Sequence, residues 1–305
     1  MKKTMARICI LVILLLTTSS AALADSHFPL YEVRMPGCSA TVYLFPSIHA
    51  ANESAYPLSQ AVKSAYEASE YLAVECDIIA AESIANQVRM TRRIKLPDGQ
   101  TVYNYVSQEV YDRVKEYLAG QGMYVDMYEQ YHPYMLMSML ELAQITESGL
   151  DYEYGLDRYF LELAKDENKS ILEIESVDEQ MDLLMNRLSP HVWDVLLESY
   201  LPPEKETSVL MTRLMYDAML VGDATAISGL LAMEESFVDE ADAALYAQYT
   251  DVLLTQRDAK MQLKVLEYLR ENKNVFVVVG AAHVLGPTGL VDSLKEAGCA
   301  VRRIG

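Results

Sequence analysis

Two of the chain's five histidines stand in the same local setting at opposite ends of the sequence. The apolar run Thr41-Val-Tyr-Leu-Phe45 breaks at Pro46 and reaches His49 three residues later. Val275-Phe-Val-Val-Val279 breaks at Gly280 and reaches His283 at the same spacing. Glu75 and Glu175 follow two short strands, Tyr71–Val74 and Ser170–Ile174. Ligands of open α/β sheets bind outside the carboxyl ends of the strands. If the four strands run parallel, both imidazoles and both carboxylates collect at one edge. That set suits a divalent ion (manganese, cobalt, zinc or iron) without selecting among them. Such an ion lowers the pKa of a bound water and polarises a carbonyl. A carboxylate outside the ligand set can act as general base.

Each residue also has a plainer role. A histidine after a strand commonly satisfies loop backbone, and a glutamate at a strand end is commonly solvated or paired with a lysine. The placement of all four together is what points to chemistry. Asp157 opens a helix, where an acid stabilises the helix dipole as readily as it serves a site. Arg257 could clamp a substrate carboxylate or carbonyl oxygen; a salt bridge to one of the many acids is the simpler reading. His132 and His191 adjoin prolines and carry no chemistry. Ser47 has no base nearby in sequence, and there is no P-loop, G-x-G-x-x-G or H-E-x-x-H.

The elements that must position these groups can be read from pattern. Tyr31–Arg34 and Thr41–Phe45 flank turn residues and form a hairpin. A helix is expected from Pro57 to about Ser69. Helical periodicity continues over Ala80–Arg92, Ser107–Ala119, Pro133–Glu147 and Gly155–Asp166, then from Val177 to Arg270 with breaks at Pro190, Pro202-Pro203 and Gly222. A helix over Gly289–Ala297 and a strand over Ala300–Ile304 close the chain. Strands at both ends and in the middle imply an α/β fold. Its mixed sheet is assembled from N-terminal, middle and C-terminal segments, with helical layers and insertions.

Composition bounds the rest. A basic start at Lys2, Lys3 and Arg7, a short apolar core and Ala22-Leu-Ala24 read as a secretory signal peptide over residues 1–24. The remainder, 25–305, is expected to be one domain with no membrane span, secreted to a periplasmic or extracellular space. The net charge is −19, and the leader holds basic residues only, so the mature chain is more acidic still. That disfavours nucleic acid and anionic membranes as partners. Cys38, Cys76 and Cys299 lie beyond the leader, an odd number that leaves either one pair and a free thiol or three free thiols.

At these same residues the chain resembles the TraB/GumN family, whose animal relatives are the Tiki metalloproteases. One block is Tyr43-Leu-Phe-Pro-Ser-Ile-His-Ala50, continuing into Leu72-Ala-Val-Glu-Cys-Asp77. A second joins Gly155-Leu-Asp157 to Lys169-Ser-Ile-Leu-Glu-Ile-Glu-Ser176 and Glu179-Gln180. A third runs from Arg257-Asp258 through Val277-Val-Val-Gly-Ala-Ala-His283 to Gly286-Pro-Thr-Gly-Leu290. The resemblance implies that His49, Glu75 and His283 belong to the family's site, and Glu175, Asp157, Arg257 and Gly280 match further family positions. It implies a metal-dependent hydrolase acting on a peptide or amide bond, with a peptide or protein as substrate. Where the family has glycine at the start of its first G-x-x-H, this chain has Pro46. A glycine needed for positive φ or for an N–H contact would leave the site altered; one that only ends a strand is replaceable by proline. The rival expectation is a non-catalytic envelope or extracellular protein that binds a peptide or saccharide in the same cleft.

Overall fold

The computed structural model describes residues 26–233 and 240–305; the leader therefore lies outside the described residues. Six strands form one mixed sheet: β1 (Tyr31–Arg34), β2 (Val42–Ser47), β3 (Tyr71–Val74), β4 (Ser170–Glu173), β5 (Val275–Gly280) and β6 (Ala300–Arg303), in the order β4-β3-β5-β2-β1-β6. The sheet draws on both ends and the middle of the chain, as the strand pattern requires. Neighbours within β4-β3-β5-β2 are parallel, and β1 is antiparallel to both β2 and β6. β5 is covered on both faces, with Val275 through Val279 all fully buried, which is why it reads as a continuous apolar run. The outer strands β4 and β6 carry exposed positions.

Most of the remaining described chain is helical, in two consecutive runs along the sequence. The first comprises α1 (Gln60–Glu67), α2 (Ile78–Ala81), α3 (Ile84–Ile94), α4 (Gln108–Gly120), α5 (Tyr134–Glu147), α6 (Leu156–Asp166) and α7 (Val177–Asn186). The second comprises α8 (Val192–Glu198), α9 (Glu204–Leu220), α10 (Ala224–Met233), α11 (Ala243–Thr250), α12 (Gln256–Arg270), α13 (Ala281–Leu285) and α14 (Leu290–Glu296). The larger apolar cluster lies on the sheet. There Phe160 of α6 packs between Phe45 of β2 and Phe276 of β5, at ring-centroid distances of 5.2 and 4.9 Å. A second cluster, centred on Tyr111, Leu118, Leu136, Leu140 and Trp193, holds α4, α5 and α8 together away from the sheet. No helix among the described residues is long and apolar enough to cross a membrane.

Four boundaries differ from the sequence reading. The first helix starts at Gln60, because the Ser59 hydroxyl accepts from the Val62 N–H and caps it there. The helix read over Ala80–Arg92 is two helices, because Ser83 caps a second start. His283 lies on the short helix α13 rather than in a loop. Pro46 does not break its strand: β2 runs to Ser47, with Pro46 in register with Val279. The reason is directional. The Val275 N–H donates to the Thr41 carbonyl, so alternate residues from Thr41 turn their backbone toward β5, and Pro46 turns the other way. On that side β1 has ended, with Tyr31 opposite Leu44, and the missing N–H breaks no ladder bond.

Candidate functional site

The parallel strands deliver their carboxyl ends to one edge. Ser47 is level with Gly280, so His49 and His283 leave adjacent strands side by side. Beyond β3 and β4 the pairing continues: Ile174 N–H donates to Val74 O and Glu175 N–H to Glu75 O, both at 2.9 Å. That extension sets the two glutamates next to each other.

Each imidazole is held by an aspartate through Nδ1. His49 Nδ1 is 2.8 Å from Asp157 Oδ2. Asp157 gets there because the loop of His49 lies on the start of α6, where Leu156 N–H donates to Ile48 O at 3.1 Å. Gly155 permits the approach: a Cβ at that position would sit 2.2 Å from the His49 carbonyl oxygen. His283 Nδ1 is 2.6 Å from Asp258 Oδ1, and the Thr288 hydroxyl donates to the other oxygen of the same buried aspartate. The residue before that aspartate, Arg257, serves the glutamates.

Arg257 bridges the carboxylates. Its Nε donates to Glu175 Oε2 at 2.9 Å, its Nη2 to Glu75 Oε2 at 2.5 Å and its Nη1 to the Leu253 carbonyl at 3.2 Å. Gln180 Nε2 lies 3.2 Å from both glutamates. Glu75 Oε1 accepts from the Gly280 N–H at 2.7 Å and lies 3.9 Å from His283 Nε2. Gly280 has φ −51°, so it is not there for a left-handed backbone. It is there for space: a Cβ would come within 3.3 Å of Glu75 Oε1. Arg257 and Asp258 continue the inward stripe of α12, one turn before Met261, Val265 and Leu269. A turn of π-helix at Asp251–Thr255 precedes them.

These contacts set the charges. Burial pushes Glu75 upward more than any single neighbour pulls it down, but Arg257, His283, His49 and the Gly280 N–H together outweigh it and hold the carboxyl at about 2. The Asp157 carboxylate raises His49 to about 10. The His49 side chain is 58 % exposed, so water damps that attraction and no stability is assigned to it. At an effective dielectric near 20, ions about 4 Å apart attract by roughly 4 kcal/mol. Desolvation costs several kcal/mol per buried ion. The Glu75–Arg257–Glu175 group is therefore near break-even as a stabiliser, but removing one member leaves the others exposed to the full cost.

The sequence-predicted residues His49, Glu75, Asp157, Glu175, Arg257, Gly280 and His283 all meet at this edge. Arg257 is engaged by the two glutamates instead of standing open to a substrate. Asp258, Gln180 and Thr288 complete the network, and adjacency to Arg257 was the signal for Asp258. Sequence reasoning missed Glu141 of α5. Burial raises its pKa against the pull of His49, and its hydrogen-bond partner is Tyr152. It is the one charged residue in Tyr134–Ala143, which was the available signal. A groove of about 400 Å³ between α7 and α12 reaches Glu175 and Arg257.

The donor chemistry fits a divalent ion. With both Nδ1 atoms tied to carboxylates, each imidazole keeps Nε2 as its free donor, which is how metal-bearing histidines are oriented. As the side chains lie, no three His, Cys, Asp or Glu groups among the described residues are disposed to hold one ion.

The comparisons agree on ancestry. The uncharacterized protein YbaP of Escherichia coli K12 is 24 % identical over 277 residues, covering 90 % of this chain and 96 % of that protein. YbaP of Shigella flexneri matches equally, at 24 % over 277 residues. No solved structure matches. A profile of the TraB/PrgY/gumN family matches residues 29–303, and the chain belongs to that family.

Proposed function

We propose that this edge is the active site of a metal-dependent hydrolase that cleaves a peptide or amide bond in an exported, periplasmic or extracellular setting. One observation carries the reading: two imidazoles from adjacent parallel strands, each tied through Nδ1 to an aspartate, flank an ionised glutamate. His49 and His283 would hold a divalent ion (manganese, cobalt or zinc), with Glu75 as a further ligand or as proton acceptor. When bound, the ion would supply an acidified water and polarise the scissile carbonyl. The chain's own groups supply the rest. Asp157 and Asp258 fix the imidazole tautomers. Arg257 keeps Glu75 deprotonated and holds Glu175 beside it. Glu141, whose pKa burial raises, adds a carboxyl group from α5 on the His49 side.

The test is metal analysis of the purified chain together with turnover of a peptide library. A bound first-row ion, lost along with turnover in a His49→Ala, His283→Ala double variant, is the expected result. No metal, and unchanged activity in that variant, would sink the reading.

A second reading has its own support. Both Glu75 oxygens are already engaged, by Gly280 on one side and by Arg257 and Gln180 on the other. A site so internally satisfied suits a binding protein for a peptide or saccharide, and saturable binding without turnover would favour it.

A further inference from the structure

Three thiols are free among the described residues, and the strand pairing carries two of them to the end of the sheet opposite the candidate site. Cys76 belongs to the site end, next to Glu75, with its sulfur 3.6 Å from Gln180 Oε1. Cys38 and Cys299 belong to the other end. Arg34 pairs with Ala300 in the antiparallel β1–β6 ladder, so one step further sets Met35 against Cys299. The hairpin turn then folds back: Gly37 has φ +84° and the Cys38 N–H donates to the Met35 carbonyl at 3.1 Å. Cys38 is thereby returned to the level of Met35.

A second set of contacts leads to the same place. The Ser39 N–H and hydroxyl both donate to Asn272 Oδ1, at 3.1 and 3.0 Å, which lays the turn on the end of α12. Arg270, two residues before Asn272, acts on the Cys299 thiol, and so does Cys38 itself. Cys299 is held in place by its N–H donating to the Leu294 carbonyl at the end of α14. The turn, the end of α12 and the start of β6 thus bring the two cysteines to one place.

We propose that Cys38 and Cys299 form a disulfide when the chain meets an oxidising environment, clasping β6 to the β1–β2 hairpin. Such a bridge would tie down an outer strand that is paired with β1 alone and mostly exposed. The reaction is exchange with a small-molecule disulfide such as oxidised glutathione. One protein thiolate attacks it and expels a glutathione thiol; the second protein thiolate then attacks the mixed disulfide and expels another. One protein S–S bond forms, the glutathione S–S bond is lost, and both thiol protons end on glutathione.

The experiment is peptide mapping by mass spectrometry on the purified, natively folded chain after incubation with oxidised glutathione, read without and with dithiothreitol. The expected result is one dominant linked peptide pair carrying Cys38 and Cys299, a mass lower by two hydrogens, and its loss on reduction. A Cys76→Ser variant keeps the bridge, and a Cys38→Ser variant loses it. On oxidation, amide exchange at Arg302 and Ile304, whose N–H groups face β1, slows in Cys76→Ser but not in Cys38→Ser. Two separately glutathionylated or alkylated thiols at Cys38 and Cys299 would overturn the proposal, as would a major bridge that includes Cys76.

Discussion

Arg257 is the residue on which the charges of the site depend. Replacing it with Met leaves Glu75 and Glu175 facing each other without a cation, and the expected loss is about 3–5 kcal/mol in urea unfolding. The pH dependence changes with it. Glu75 sits at about 2 in the fold, below its ordinary 4.5. Its contribution to stability is therefore complete above pH 4.5 and is lost as pH falls toward 2. In Arg257→Met that part of the acid limb disappears, since Glu75 no longer titrates lower in the fold than in the unfolded chain. His49 behaves oppositely, with a folded pKa raised to about 10 by Asp157. Asp157→Asn should return its titration toward the ordinary histidine range, read from the imidazole resonances by NMR. A protonated ring cannot ligate, so ion binding to the native site should release a proton and weaken as pH falls.

At the scale of elements, the glycines test whether the loops are placed as described. Gly155→Ala puts a methyl 2.2 Å from the His49 carbonyl oxygen, so the loop or α6 must move. A cost of roughly 1–3 kcal/mol is expected by chemical denaturation, in the range of overpacking. Gly280→Ala meets the Glu75 carboxylate at 3.3 Å and the His283 ring at 3.7 Å, side chains rather than backbone, so the fold should tolerate it better while the Glu75 titration shifts. Pro46 is a test in the other direction. Its strand side is bare of β1, so Pro46→Gly regains no ladder bond. It should lose about 0.5–1 kcal/mol through the freer unfolded chain. A gain in stability would show that the proline is strained where it stands.

At the scale of the molecule, the second helical core carries its own pH response. His132 is buried edge-on against Tyr105 and Trp193, at 4.8 and 4.9 Å, and burial lowers its pKa to about 4. Between pH 6.5 and 4 the unfolded chain takes up a proton that the folded chain refuses. Stability is complete above that window and falls by up to about 3 kcal/mol across it. His132→Phe should flatten this stretch of the stability profile and leave the lower, Glu75-dependent stretch in place. The assignment of His132 to structure and not to chemistry followed from its setting beside Pro133. Its packing partners, more than sixty residues away in the case of Trp193, were not legible there.

The strands, most helices and the candidate residues were legible because period-2 and period-3.6 patterns, caps and breaks are local, and they act on a few consecutive residues. The sequence by itself determined that two imidazoles and two carboxylates follow apolar strands, and that the chain carries the family's blocks in order. It did not determine that β2, β3, β4 and β5 are parallel neighbours. That depends on which buried faces pack together, and β2 and β5 are separated by more than two hundred residues. The tertiary structure alone decided that Asp258 holds His283, that Arg257 closes on Glu75 and Glu175, that Glu141 reaches the cleft from α5, and that Pro46 is harmless to the ladder. Each of these depends on direction and distance across the sheet, which pattern along the chain does not encode.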